Sequence, residues 1–529
     1  MRIVIAFPPF LDPRVDPEDV MAPPIGVYYV AASLMEKGHE VRILNWFDVD
    51  GGPSGLAQAV KEAKPHILAV SILNANRWGG IDLAREVKRT VPDLTVVFGG
   101  VGATFLWRHL LAHFPVIDLI VLGEGELTFS RLVEHLENGG DMTPVDIKGI
   151  AYRTDTGPAS TGLPDPISDI DALPDPAKYF RFQHLVSSRG CPGSCTFCGS
   201  PRFWGRRVRF HSPYYFVRQM ERLVDKGVRF FYVSDDTFTL RKDRVIEICR
   251  MILERGLSVT WQAISRVDTV DEEVLAWMRR AGCIQISYGI ESGDPRIREV
   301  FNKGITDEAV KSAFRLTRRY GILPRAYFIY GSPGETDKSI EKSLELISEI
   351  RPLAAVFYIL ALYPGTALYD AFLKKTGLTD DIWLERIEDI LYLETDPSLS
   401  PEKVLSFGKA LRHAFYGRIG DFVQDLDLVD GEDFRPLHAE FLSRLAMTFS
   451  HGDYAKNPLV QDAEGIAACL YRRALAYHPD ERAYLGLGIL LQKAGRHKEA
   501  AGLLSEGIKN HPESRQLYEC RALSLMNVK

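Results

Sequence analysis

Three cysteines, Cys191, Cys195 and Cys198, stand in the run RGCPGSCTFCGSP with the spacing CxxxCxxC. Spacings this short let three thiolates from one loop converge on a compact metal site. Gly190, Pro192, Gly193 and Gly199 supply the turns that such a loop needs. Three thiolates can hold three irons of a 4Fe-4S cluster and leave the fourth iron open, whereas an electron-transfer cluster usually has four cysteine ligands. Structural zinc also wants four ligands. The nearest fourth candidate is His211, thirteen residues beyond Cys198, which favours the cluster. The other four cysteines (Cys249, Cys283, Cys469 and Cys520) are scattered and read as small core residues.

Elements must position that loop. From His184 to about Tyr392 the chain alternates strands and helices, with strands at 184–189, 229–234, 258–264, 284–290, 324–330 and 355–361. Six such units predict a (β/α)6 partial TIM barrel over 184–395, with its chemistry at the carboxyl ends of the strands. Those ends are polar or glycine-rich: Ser234-Asp235-Asp236-Thr237-Phe238, Ser265-Arg266, Glu291-Ser292-Gly293 and Ile329 to Glu335. Any one of them alone would read equally as a turn or a helix cap. Arg202, Arg206, Arg207 and Arg209, with Trp204 among them, follow the cysteines and read as a solvated rim, one or two of them free to pair with a carboxylate. Tyr288, Tyr327 and Tyr358 near the barrel mouth read equally as packing or as substrate contacts.

Residues 1–150 alternate Val- and Ile-rich runs (2–7, 41–46, 67–72, 95–100, 119–122) with helical segments, which predicts a parallel, doubly wound, Rossmann-like α/β sheet. Such sheets bind ligands at their strand ends. The loops there are Pro8-Pro9, the 74–78 segment, Gly99-Gly100 and Gly123-Glu124-Gly125-Glu126. Five prolines between 154 and 183 predict a linker, bounded here as 151–183, without helix or central strand. Residues 396–529 predict an α-helical C-terminal domain. Tyr484, Leu487, Gly488, Gly495, Ala500, Leu504 and Pro512, with His-Pro pairs at 478 and 511, resemble the tetratricopeptide pattern of about 34 residues, with roughly one and a half repeats legible.

The cysteine spacing, with aromatic Phe197 before the last cysteine, resembles the radical S-adenosylmethionine (SAM) superfamily. In that family the amino and carboxylate groups of SAM chelate the open iron, and an electron from the cluster cleaves SAM. The resemblance implies cofactor contacts from Phe197, from Asp235 or Asp236 at the SAM amino group, and from Ser265 and Arg266. It further implies Glu291 or Ser292 at the ribose or carboxylate. Gly331 and Pro333 lie in an element similar to the adenine-contacting GxIxGxxE, although its first glycine is absent.

The first domain resembles the cobalamin-binding domain of the cobalamin-dependent class of these enzymes, so that the resemblance covers about residues 1–395. Pro23-Pro24-Ile25-Gly26, Gly38-His39-Glu40-Val41, Gly99-Gly100 and Gly123-Glu124-Gly125-Glu126 carry it. Small residues there would admit a corrin ring close to the backbone. The DxHxxG element that supplies a histidine to cobalt is absent, and His39 and His66 precede strands on the wrong side of the sheet. The 74–78 loop is expected beneath the cobalt, with Asn74, Asn76 or Arg77 nearby. A protonated arginine cannot ligate but can disfavour a coordinating water. A flavin, a nucleotide or a purely structural role is the other reading of a glycine-rich α/β domain.

The implied activity is methyl transfer from SAM, via methylcobalamin, to an unactivated carbon or a phosphinate of a small-molecule or peptide substrate. It would need an external electron donor, and the helical tail offers a surface for a protein partner. The alternatives are a cyclisation, rearrangement or oxidation by the same cofactors, or a non-catalytic binding scaffold. Composition agrees with an enzyme. The 529 residues carry a net charge of −6, which excludes a dedicated nucleic-acid binder. Seven cysteines exclude a disulfide scaffold. The longest apolar run, Leu353 to Tyr363, has eleven residues where a membrane span needs about 20. No targeting segment is read at the start, since the apolar run 2–7 stops at Pro8-Pro9, and a cytoplasmic location is expected.

Overall fold

Arg2–Phe7 (β1) and Ile67–Ser71 (β3) are apolar on both faces and buried on both, as a parallel strand covered from two sides must be. They sit at the centre of the first sheet, with Glu40–Asn45 (β2), Thr95–Gly99 (β4) and Leu119–Val121 (β5) in the order β2-β1-β3-β4-β5, all parallel. The helices Ile25–Glu36 (α1), Gly52–Ala63 (α2), Arg77–Thr90 (α3), Val101–His113 (α4) and Gly125–Glu137 (α5) connect them. The computed structural model describes residues 1–11 and 22–527, so most of the loop opened by Pro8-Pro9 lies outside the described residues.

The sheet continues into the stretch expected to be a linker. Ile150–Thr154 (β6) and Gly157–Ser160 (β7) add an antiparallel hairpin beyond β5. Pro158 sits in β7, which is the edge strand, and an edge strand tolerates the missing N–H. The proline count therefore excluded a central strand but not this one.

The second sheet follows the predicted alternation. Its strands are His184–Leu185 (β8), Phe230–Val233, Thr260–Ser265, Cys283–Glu291, Leu323–Tyr330 and Ala354–Ile359, all parallel in chain order. Between the first two, Ser188–Arg189 (β9) and Arg209–Phe210 (β10) pair antiparallel at the two ends of the cysteine loop. The later strands are numbered β11 to β15. The helices Ser200–Trp204 (α6), Pro213–Asp225 (α7), Lys242–Glu254 (α8), Glu272–Arg280 (α9), Pro295–Val300 (α10), Asp307–Arg319 (α11) and Asp337–Ile350 (α12) follow them. Side-chain caps such as Ser212 on α7, Thr306 on α11 and Thr336 on α12 set where these helices start.

After β15 the chain turns back. Ala361–Leu362 (β16), Ala367–Thr376 (α13), a 3-10 turn over Asp380–Leu384 and Ile390–Leu391 (β17) lie on the first domain. Leu362, Tyr369, Phe372, Trp383 and Ile390 join the same apolar core as Val70, Phe98, Leu106 and Leu110.

The remaining helices are Pro401–Tyr416 (α14), Ile419–Gln424 (α15), Arg435–Ser450 (α16), Asp453–Lys456 (α17), Ala463–Tyr477 (α18), Glu481–Lys493 (α19), His497–Asn510 (α20) and Arg515–Met526 (α21). Their apolar faces share one continuous core with the barrel. Tyr484, Leu487, Ala500 and Leu504 are buried, and a Cβ on Gly488 would stand 2.7 Å from Leu504 Cδ2, so α19 and α20 touch closely there. Among the described residues no helix is long and apolar enough to cross a membrane.

Candidate functional site

The loop from Gly190 to Gly199 leaves β9 and is held at several points by the chain after α10. Thr196 N donates to Phe301 O at 3.0 Å and Asn302 Nδ2 to Ser194 Oγ at 2.8 Å. Phe197 packs edge-on against Phe301, with ring centres 5.0 Å apart. The three thiols are free and half-buried. A Cβ on Gly193 would stand 3.3 Å from Cys191 Sγ and 3.9 Å from Cys195 Sγ, so those sulfurs gather over one small residue. Burial pushes Cys195 up and Cys198 to about 11. His211 is elsewhere. Its Nδ1 meets Asp171 at 2.8 Å and its ring stacks on Tyr215, so it is no fourth ligand. Three thiols close enough to act on one another electrostatically, with His211 turned away, fit a cluster with one open iron.

Lys303 was not singled out in the sequence. It lies in the turn after α10, with its Nζ 2.7 Å from Glu291 Oε1 at the end of β13. Both groups act electrostatically on Cys195. Against the pull of burial, Glu291 holds the Lys303 ammonium above its ordinary pKa. Glu291 has φ of 67°, a left-handed backbone uncommon outside glycine, and Gly289 leaves the space the ion pair occupies. A lysine before Gly304 in a turn looks like any surface lysine in sequence.

The other strand ends divide. Asp236 accepts from Ser200 Oγ at 2.5 Å, feels the Cys198 thiol, and is raised by burial. Asp235 is buried and taken up by structure: Ser187 N, Ser187 Oγ and Ser188 Oγ all donate to it at 2.5–2.6 Å. Ser265 is buried against Thr239. Arg266 forks onto Asp268 and lies close enough to interact electrostatically with Cys195 and Cys191. Ser292 Oγ accepts from Asp294 N. Tyr288 is fully buried and bonded to Thr317, hence packing, whereas Tyr358 is 53% exposed. Tyr327 lies against Tyr358, with ring centres 5.9 Å apart.

Gly331, Ser332, Pro333 and Gly334 wrap Glu335, whose Oε2 accepts from Gly331 N at 2.6 Å. Burial raises Glu335 from an ordinary carboxyl to about 7. Its folded pKa lies above its unfolded value, so its stabilising contribution is full below about pH 4 and is lost as pH rises through 7. Thermal melts of wild type and Glu335→Gln across pH 5 to 8 are expected to show the wild type losing stability relative to the variant. Parallel curves would remove the assignment.

In the first domain, Gly99, Gly100, Gly123, Glu124 and Asn74 border a cavity of about 610 Å³. Gly100 has φ of 91°, and a Cβ on Gly102 would stand 2.6 Å from the Leu73 carbonyl, so α4 starts hard against the 72–74 backbone. Asn74 Nδ2 donates to Glu388 O at 3.1 Å, and its Oδ1 is buried without a hydrogen-bond partner. Asn76 and Arg77 do not border the cavity. Asn76 bonds Leu73 N and Pro8 O, while Arg77 donates to the Ile387 and Glu388 carbonyls and lies over Trp383. Burial lowers Arg77 to about 10. The loop expected beneath cobalt thus presents Asn74, and Arg77 braces it from behind.

The opposite wall of that cavity comes from the cysteine loop and α6: Phe197, Gly199, Ser200, Phe203 and Trp204. The wall's polar side chains include no imidazole or thiol among the described residues. A roomy cavity bordered by Gly99, Gly100, Gly123 and Gly125, with no imidazole on it among the described residues, fits a large flat cofactor bound without a protein histidine.

Beside the cavity, Arg189 bridges the two domains. It lies 2.7 Å from Glu124 Oε1 and 2.6 Å from Glu126 Oε1, while Arg209 lies 2.6 Å from Glu124 Oε2. All four side chains are under 8% exposed. Arg209 is therefore no rim residue. Arg202 instead pairs with Asp370, and Arg206 donates to Pro192 O.

Comparison with known proteins matches this division. The Radical SAM superfamily profile matches residues 185–347 and the B12 binding domain profile residues 19–133. An uncharacterized methyltransferase of Pyrococcus horikoshii is 31% identical over 444 residues, covering 80% of this chain and 95% of its own. An anaerobic magnesium-protoporphyrin IX monomethyl ester cyclase of Cereibacter sphaeroides is 30% identical over 377 residues, 68% of this chain and 61% of that protein. The solved structure of the radical S-adenosylmethionine methyltransferase TsrM of Kitasatospora setae, with cobalamin and a 4Fe-4S cluster bound, shares the fold. Its TM-score is 0.61 at 19% identity, over 71% of this chain and 75% of that one.

Proposed function

The chain belongs to the radical SAM enzymes that carry a B12-binding domain, and on that premise we propose that it moves a methyl group from SAM, by way of cobalamin, to an unactivated carbon or a phosphinate of a small molecule. One observation carries this reading: the cysteine loop and the glycine-lined strand ends of the first sheet border the same cavity. When bound, the cluster with SAM supplies a carbon-centred radical, and cobalamin supplies the methyl group.

The chain's own residues position and shield. In this reading Cys191, Cys195 and Cys198 hold the cluster, and Asp236, Arg266, Glu291 with Lys303, and the Gly331–Glu335 turn orient SAM. Gly99, Gly100, Gly123 and Asn74 take the corrinoid. Phe105, Phe197, Phe203 and Trp204 close the cavity to water, which protects a reactive radical from side reactions. A small one-electron donor protein and a partner docking on α18–α21 complete the proposal, the latter supported by the repeat spacing.

The cyclase relative favours a second reading, radical chemistry without methyl transfer. The two differ in what SAM becomes. Methyl transfer converts one SAM to S-adenosylhomocysteine for each SAM cleaved to 5′-deoxyadenosine and methionine, whereas cyclisation yields only the latter pair. Anaerobically reconstituted protein, given methyl-labelled SAM, reductant and a fractionated small-molecule extract, is expected to form both products and to label one compound. Formation of 5′-deoxyadenosine with no S-adenosylhomocysteine and no labelled product would overturn methylation in favour of the cyclase reading.

A further inference from the structure

α4 carries His109 and His113 four residues apart, which places them on one helix face one turn apart. The 3-10 turn after α13 brings Asp381 onto that face. His113 Nε2 lies 2.9 Å and His109 Nδ1 3.7 Å from the same oxygen, Asp381 Oδ1. One donor atom from each residue lies within 4.8 Å of the other two. That spread is small enough for modest rotamer changes to bring all three to the roughly 2.0–2.2 Å of metal–nitrogen and metal–oxygen bonds.

His109 supplies a second, independent observation. It is only 4% exposed, yet neither ring nitrogen has a hydrogen-bond partner. A buried imidazole in a native fold is ordinarily bonded through at least one nitrogen. Burial also pulls its pKa down, which keeps the ring in the neutral form that ligates. Asp380, which would add negative charge nearby, is hydrogen-bonded by Tyr369 OH at 2.7 Å and so stays fixed beside the group.

We propose that His109, His113 and Asp381 bind a divalent first-row transition-metal ion of the zinc type. Two nitrogens and one carboxylate oxygen suit such an ion rather than calcium or magnesium, and water fills the fourth position on the exposed side. None of the three residues borders the cavity, so the ion is not part of the methyl-transfer machinery. It joins α4 of the first domain to the returning segment after the barrel.

The test is a zinc titration of the full chain after anaerobic cluster reconstitution, so that the cysteines are already occupied. Competition against a chromophoric chelator is expected to show one zinc per chain. X-ray absorption is expected to find only nitrogen and oxygen in its first shell. His113→Ala and Asp381→Asn change residues that are 36% and 62% exposed, which spares the core. Each is expected to weaken zinc at least tenfold and to remove the zinc-induced rise in melting temperature. Sulfur in the first shell, an affinity equal in wild type and both variants, or no binding at about micromolar zinc would each overturn the proposal.

Discussion

Alanine at Cys191, at Cys195 or at Cys198 is expected to reduce SAM cleavage to the level of a protein-free control, with the fold intact. In the proposed reading each change removes one of three iron ligands, and three thiolates hold three irons of the cluster while leaving the fourth open. The effect is therefore all-or-none, unlike the graded loss that follows from trimming a contact. The loop keeps its shape through bonds the thiols do not make, such as Thr196 to the Val300 and Phe301 carbonyls and Asn302 to Ser194. Circular dichroism and melting temperature should stay close to wild type while iron and sulfide content collapse. A variant that retains cleavage, or a triple variant that still does, would sink the assignment.

Arg189→Met should be the most destabilising single change outside the apolar cores. Arg189 is two residues before Cys191, is 4% exposed and is paired with both Glu124 and Glu126 of the first domain. The two carboxylates raise the guanidinium above its ordinary pKa against the pull of burial. Removing it leaves Glu126 buried without this partner, while Glu124 keeps Arg209 and the Ile167 N–H. Stranding a buried charge costs about 3–5 kcal/mol, a fall in melting temperature of about three to five degrees for a cooperative unit of this size. Adding Glu126→Gln should recover part of that loss, because the stranded charge goes with it. A melting temperature within a degree or two of wild type for Arg189→Met would show that the network contributes little.

Much of this was legible because periodicity and spacing are local. The Val- and Ile-rich runs gave strands within a residue or so of those observed, and the cysteine spacing needed no tertiary knowledge. What escaped depends on partners distant in sequence. Glu124 and Glu126 read as a glycine-rich strand end, and their role follows only when Arg189 and Arg209 arrive from the barrel. Arg77 sits in the right loop but turns away from the cavity, toward carbonyls of residues 387 and 388 some three hundred positions later. Asp235 and Asp236 are adjacent in sequence, yet one is spent on Ser187 and Ser188 while its neighbour faces the cysteines. Lys303 carried no pattern at all. The β6–β7 hairpin was missed because proline density, which excludes only helix and central strand, pointed to a linker, and an edge strand is compatible with it.

The returning segment has a consequence for how the protein is made. Leu362, Tyr369, Phe372, Trp383 and Ile390 complete the first domain's core, and Glu388 and Ile387 satisfy Arg77. At about 5–20 residues per second, a ribosome releases Ile390 roughly 10 to 50 seconds after Ser160. For that interval the nascent first sheet stands on the growing chain with one flank of its core bare and Arg77 without its cover by Trp383 and the 387–388 carbonyls. The order of synthesis thus ties completion of the amino-terminal domain to emergence of the barrel, so that both walls of the shared cavity mature together.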